Sequence, residues 1–130
     1  MLAFVLLRLA RIYGDDALER QAVGVLRLFG ASLGRAPTEL AHALNALDLY
    51  LATPKEIAIV GPAESEVARA ALEPFDPNAV VAFGPAEGVP LLAGKELVDG
   101  KPAVYVCKRF ACQRPITSAA DLSHEAATRT

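Results

Sequence analysis

A change of hydrophobic period at Thr53-Pro54 constrains this chain more than any other feature. Upstream, apolar side chains recur at helical spacing. Downstream, they gather into short continuous runs. The residue before a proline is pushed out of helical geometry, so the chain divides there. The fold class read from this is α + α/β: a segment of three helices over residues 1–53, then a small α/β subdomain over residues 54–130.

In the helical segment, Leu2, Val5, Leu6, Leu9 and Ile12 form one stripe, while Ala3, Phe4 and Leu7 fall on the other side. A helix apolar nearly all round is buried on more than one face. Gly14 ends it, and the Asp15 carboxylate can accept from the free amides of the next first turn. The second helix places Leu18, Ala22, Val25, Leu26, Phe29 and Leu33 together and closes at Gly34. Pro37 opens a third, where a missing N–H is harmless, with a stripe of Leu40, Leu44, Leu47 and Leu51.

After Pro54, the runs 57–60, 79–83 and 103–107 read as strands covered on both faces, which predicts a small three-stranded, mostly parallel sheet with flanking helices. A helix over 64–72 completes one right-handed βαβ unit. The next connection predicts one helical turn around Val89–Ala93 and a tight turn at Asp99-Gly100. Thr117 or Ser118 caps a last helix beginning at Ala119, with Asp121 returning the bond.

With 53% apolar and 22% charged residues the chain is globular, and a net charge of −2 offers no general attraction to nucleic acid or anionic lipid. Arg8 and Arg11 interrupt the apolar start well short of the roughly 20 residues of a spanning helix, so no membrane segment is predicted. The charge follows the apolar stretch rather than preceding it, so no export signal is read either. The expected location is the cytoplasm, with two thiols in a reducing compartment.

Those thiols, Cys107 and Cys112, flank Lys108, Arg109, Phe110 and Ala111. Neighbouring cations raise the thiolate fraction, and a reversible disulfide forms if the intervening residues turn back. The same pair can instead be structural thiols or ligand contacts. Two further ligands are missing for a zinc site, with His42 and His124 far away in sequence, so no metal is predicted. Val60-Gly61-Pro62-Ala63-Glu64 and Phe83-Gly84-Pro85-Ala86-Glu87 echo one another at the carboxyl ends of two strands. Ligands bind at that edge of open α/β sheets, which makes Gly61, Pro62, Gly84 and Pro85 candidate ligand loops for a sugar or phosphate. Glycine exits and proline helix starts explain the same residues without a ligand. No nucleophile, base or carboxylate pair stands out, and no cofactor is predicted.

Val104-Tyr105-Val106-Cys107, Phe110, Cys112-Gln113, Pro115-Ile116-Thr117 and Leu122 resemble the carboxyl-terminal signature of one family. It comprises thioredoxin-domain-containing proteins related to the spermatogenesis-associated thioredoxin-like protein. Leu7-Arg8-Leu9-Ala10, Gly14-Asp15, Leu47-Asp48, Pro54–Gly61 and Asp99–Pro102 fit the same pattern in order, over nearly the whole chain. The resemblance implies an amino-terminal thioredoxin-like domain, a toroid of paired helices similar to N-acylglucosamine 2-epimerases and six-hairpin glycosidases, and a small α/β tail. This sequence corresponds to the last helices of the toroid and the tail. Cys107, Cys112, Pro115 and Thr117 carry over residue by residue, with no established role; the family's thioredoxin motif has no counterpart here.

The function so implied is a non-catalytic, carboxyl-terminal structural and interaction portion. The alternatives are a thiol redox accessory unit using Cys107 and Cys112, and ligand binding at the strand ends. Expected partners are a second copy, or the thioredoxin and toroid portion, met through the first helix at Phe4 and Leu7.

Overall fold

The computed structural model describes residues 1–127, with side chains through Ser123. Three helices come first: α1 (Leu2–Tyr13), α2 (Asp16–Leu33) and α3 (Ala41–Leu51). The caps follow the sequence. Gly14 closes α1 in the left-handed conformation, and the Asp15 carboxylate accepts from the amides of Ala17 and Leu18. The third helix starts later than its proline suggests. Residues 37–40 form turns, and the buried side chains of α3 are Ala46 and Leu49, while Leu51 stands in solvent. Ala46 and Leu49 sit three apart on the face that meets α1 and α2, so that face rotates away from Leu51.

The first helix departs most from expectation. Leu7 is only 1% exposed and Ala3 and Ala10 are also buried, all inside this one chain. Ala3 and Leu7 pack with Ala22, Leu26, Ala46 and Leu49, and Phe4 and Leu6 close over the same cluster. Leu7 therefore offers no surface to a partner, and Phe4 is half-covered, with the Arg8 guanidinium 4.8 Å above its ring. A second side of α1 meets the α/β part, where Arg8 donates to the carbonyls of Ala79 and Pro77 at 3.1 and 2.7 Å. Being apolar on both sides is thus satisfied largely within the chain. Leu2 and Val5 remain exposed.

The sheet has four strands rather than three: β1 (Glu56–Val60), β2 (Val80–Gly84), β3 (Ala103–Lys108) and β4 (Ala111–Cys112), in the order β2-β1-β3-β4. β1 and β2 are parallel, joined through α4 (Glu66–Leu72) as the βαβ reading requires. β3 and β4 are antiparallel, which corrects the mostly parallel sheet. The connection before β3 shows why. It carries only a 3-10 turn at Pro90–Leu92, too little for a crossover, and it delivers Ala103 beside Val60 at the carboxyl end of β1. The chain can then only run backwards along β1.

Period-two alternation sorts the strand residues onto two faces. Ile57, Ile59 and Val104 face Val67 and Ala68 of α4 and Leu122 of α5 (Ala119–Ala127). Ser118 caps α5 as predicted: its hydroxyl accepts from the Asp121 amide and donates to the Asp121 carboxylate. On the opposite face, Ala58, Ala82 and Tyr105 meet Leu91 and Leu92 of the 3-10 turn. Two layers therefore cover the sheet, with no helix long and apolar enough to cross a membrane among the described residues.

Candidate functional site

The two cysteines come together at the far edge of the sheet. β3 reverses through Arg109 and Phe110 into β4, which makes Cys107 and Cys112 direct register partners. They form a disulfide, with Cα atoms 3.9 Å apart. This replaces the two free thiols expected from the sequence. Cys107 is buried and Cys112 exposed, so one sulfur of the bond is backed by the core and the other faces solvent. Both reversing residues have positive φ, 50° at Arg109 and 63° at Phe110. That is the pattern of a type I′ turn, a geometry that favours Asn and Gly. Side chains there cost about 1–3 kcal/mol each and persist only where the surroundings hold them.

The surroundings do hold them. The Phe110 N–H donates to Glu56 Oε2 at 2.8 Å. Its ring lies so close over Gly14 that a Cβ there would meet it at 3.3 Å. Glu56 is 1% exposed, the one buried charged side chain among the described residues, and it sits directly opposite Cys107 on β1. Glu56, Cys107 and Cys112 therefore lie side by side across three strands on one face. A hydrogen bond from an amide to a buried carboxylate stabilises by about 1.5–3 kcal/mol. Lys95 supplies the opposite charge: burial pushes its pKa below the ordinary 10.5, and the Glu56 carboxylate opposes that shift. Its ammonium also lies 5.9 Å from the centre of the Tyr105 ring, whose hydroxyl donates to the Glu96 carbonyl at 2.8 Å.

The sequence reading missed Glu56. A signal existed: an acid opening a continuous apolar run that is covered on both faces must find donors inside.

The candidate ligand loops also come together, since the Gly61 N–H donates to the Gly84 carbonyl at 3.2 Å across the parallel strands. Neither edge is open at the backbone. Gly61, at φ 117°, is pressed by Pro102, whose Cβ lies 2.9 Å from where a side chain would begin, and Leu92 crowds Gly84 at 3.2 Å. Pro62 and Pro85 are exposed. No hydrogen bond joins these four residues to the disulfide cluster.

A cavity of about 670 Å3 opens elsewhere, between the α4–α5 face of the sheet and the loop after α4. Ile57, Val81, Val104 and Val106 form its floor, and Phe75, which is 92% exposed, stands at its rim. Arg8 and Lys55 line it together with Glu73 and Asp76, so its charges balance and select no ligand by sign. His42 is exposed on α3, and the side chain of His124 lies outside the described residues.

No family model, curated protein or solved structure matches the chain, so geometry carries the functional reading.

Proposed function

We propose that this chain is a non-catalytic structural and interaction unit, the carboxyl-terminal portion of a thioredoxin-domain-containing, six-hairpin-glycosidase-like protein. The carrying observation is the set of large apolar side chains that the three helices leave in solvent. Leu28 is 81% exposed, Leu51 72% and Leu2 60%, with Val5 and Phe29 also in solvent. These five residues are spread over three helices packed against one another, where a lone domain places polar side chains. Exposed large apolar side chains on neighbouring helices supply area that a partner can cover. Covering about 800 Å2 of such surface removes about 20 kcal/mol of gross hydrophobic cost before the entropy of association is subtracted. The contact surface is thus Leu2, Val5, Leu28, Phe29 and Leu51 rather than Phe4 and Leu7.

The occupant is a further pair of toroid helices or, when the chain is alone, a second copy. Sedimentation velocity at micromolar concentration tests this. The wild-type chain is expected to sediment as a dimer or larger, and Leu28→Glu with Leu51→Glu to return it to the monomer with its circular dichroism unchanged. A wild-type monomer at every concentration would end the reading.

A further inference from the structure

We propose that the Cys107–Cys112 disulfide is a thiol–disulfide exchange site, attacked at Cys112 by an external dithiol, and that its reduction releases the Phe110 turn from the body of the protein. The inference rests on the hairpin alone and is independent of the exposed helical face.

Exchange requires a thiolate to approach along the S–S axis and a sulfur it can reach. Cys112 is exposed, whereas Cys107 is 1% exposed and walled off by β1, so attack is directed to Cys112. Lys108, Arg109 and Arg114, all exposed, give the hairpin a local positive charge that favours an incoming thiolate. The dithiol's thiolate bonds to Cys112 Sγ. The S–S bond breaks, and Cys107 leaves with the electron pair and takes up a proton. The dithiol's second thiolate then attacks its own sulfur in the mixed disulfide and frees Cys112, which is protonated in turn. Two electrons and two protons pass to the protein, and the dithiol becomes a disulfide.

The consequence follows from what the bond clamps. With it broken, two residues that resist positive φ keep only the short β3–β4 ladder, the Phe110–Glu56 hydrogen bond and the ring over Gly14. The last two contacts reach different layers, Glu56 on the sheet and Gly14 at the α1–α2 corner. Relaxation of the turn therefore loosens the sheet edge and the helical corner together. Cys112 Sγ lies 3.6 Å from the Phe110 carbonyl, so the freed thiol has an acceptor within the same turn.

The test equilibrates the whole chain, without denaturant, in mixtures of reduced and oxidised dithiothreitol from both directions. Alkylation and mass mapping give the cysteine state, and hydrogen exchange is followed at Phe110 and at residues 13–16. Expected is reversible conversion, with Phe110 amide exchange rising about tenfold on reduction, the factor that follows from losing a hydrogen bond to a charged group. Exchange in β1 and α4 should hold. A disulfide that yields only in denaturant, or one reduced without change at Phe110, overturns the proposal. In Cys107→Ser the remaining thiol should react with an aromatic disulfide more than about tenfold faster than in Cys112→Ser. Equal rates contradict attack at Cys112. If either variant fails to fold, the wild-type titration still decides.

Discussion

Two tight turns in this molecule share a backbone shape and differ in what makes it. Asp99-Gly100 and Arg109-Phe110 both carry positive φ at both central residues. The first is flanked by a two-way bridge, Val98 and Lys101 each donating to the other, and its residues are those the geometry prefers. It is a local object, exposed at Asp99, Gly100 and Lys101. The second puts arginine and phenylalanine where asparagine and glycine belong, and its shape is imposed by a disulfide, a buried carboxylate and a ring packed on Gly14. A turn that its own residues disfavour stores a conformational bias that its tethers restrain. That is why the second turn, not the first, is read as the responsive one.

The contrast can be broken in graded steps. Glu56→Ala removes the acceptor of the Phe110 amide and the negative charge that offsets the Lys95 ammonium; a loss of about 3 kcal/mol is expected from urea unfolding midpoints, with Glu56→Gln losing less because it still accepts. Cys112→Ala opens a short loop and should cost about 2 kcal/mol in the same measurement. At the local turn, Gly100→Ala places a Cβ at φ 72° and should cost about 1 kcal/mol, with no change at Phe110 by hydrogen exchange. Arg109→Asn suits its left-handed position and should stabilise by about 0.5 kcal/mol. Lys95 gives the smallest effect. Its folded pKa lies below 10.5, so between the two values the unfolded chain holds the proton more often, and stability rises with pH across that interval. Unfolding midpoints of Lys95→Met should lack that rise, a small difference because the side chain is partly solvated.

Much of this fold could be read from local chemistry. Asp15, Ser118 and Asp121 announced their caps, and Asp99-Gly100 announced its turn, because each device is complete within a few residues. The βαβ unit followed from two buried runs with a helix between them. What escaped depends on contacts distant in sequence. The antiparallel run of β3 is set by where its connection emerges beside Val60. The reversal at Arg109-Phe110 is set by Glu56 and Gly14, 54 and 96 positions away from Phe110 by residue number. Leu7 illustrates the same limit: its burial is plain only once α2 and α3 fold over it. Cys107 and Cys112 stood out in the sequence with thiol and disulfide both open, and their bonding depends on that same unfavoured turn.

If the disulfide and the Glu56 anchor hold the Arg109-Phe110 turn as one device, their removal cannot add independently. A double-mutant cycle of Cys112→Ala with Glu56→Gln, read by urea unfolding, measures this directly. The predicted result is a double variant whose loss differs from the sum of the single losses by more than about 0.5 kcal/mol. Losses that add within about 0.3 kcal/mol would show two unrelated supports and contradict the coupling.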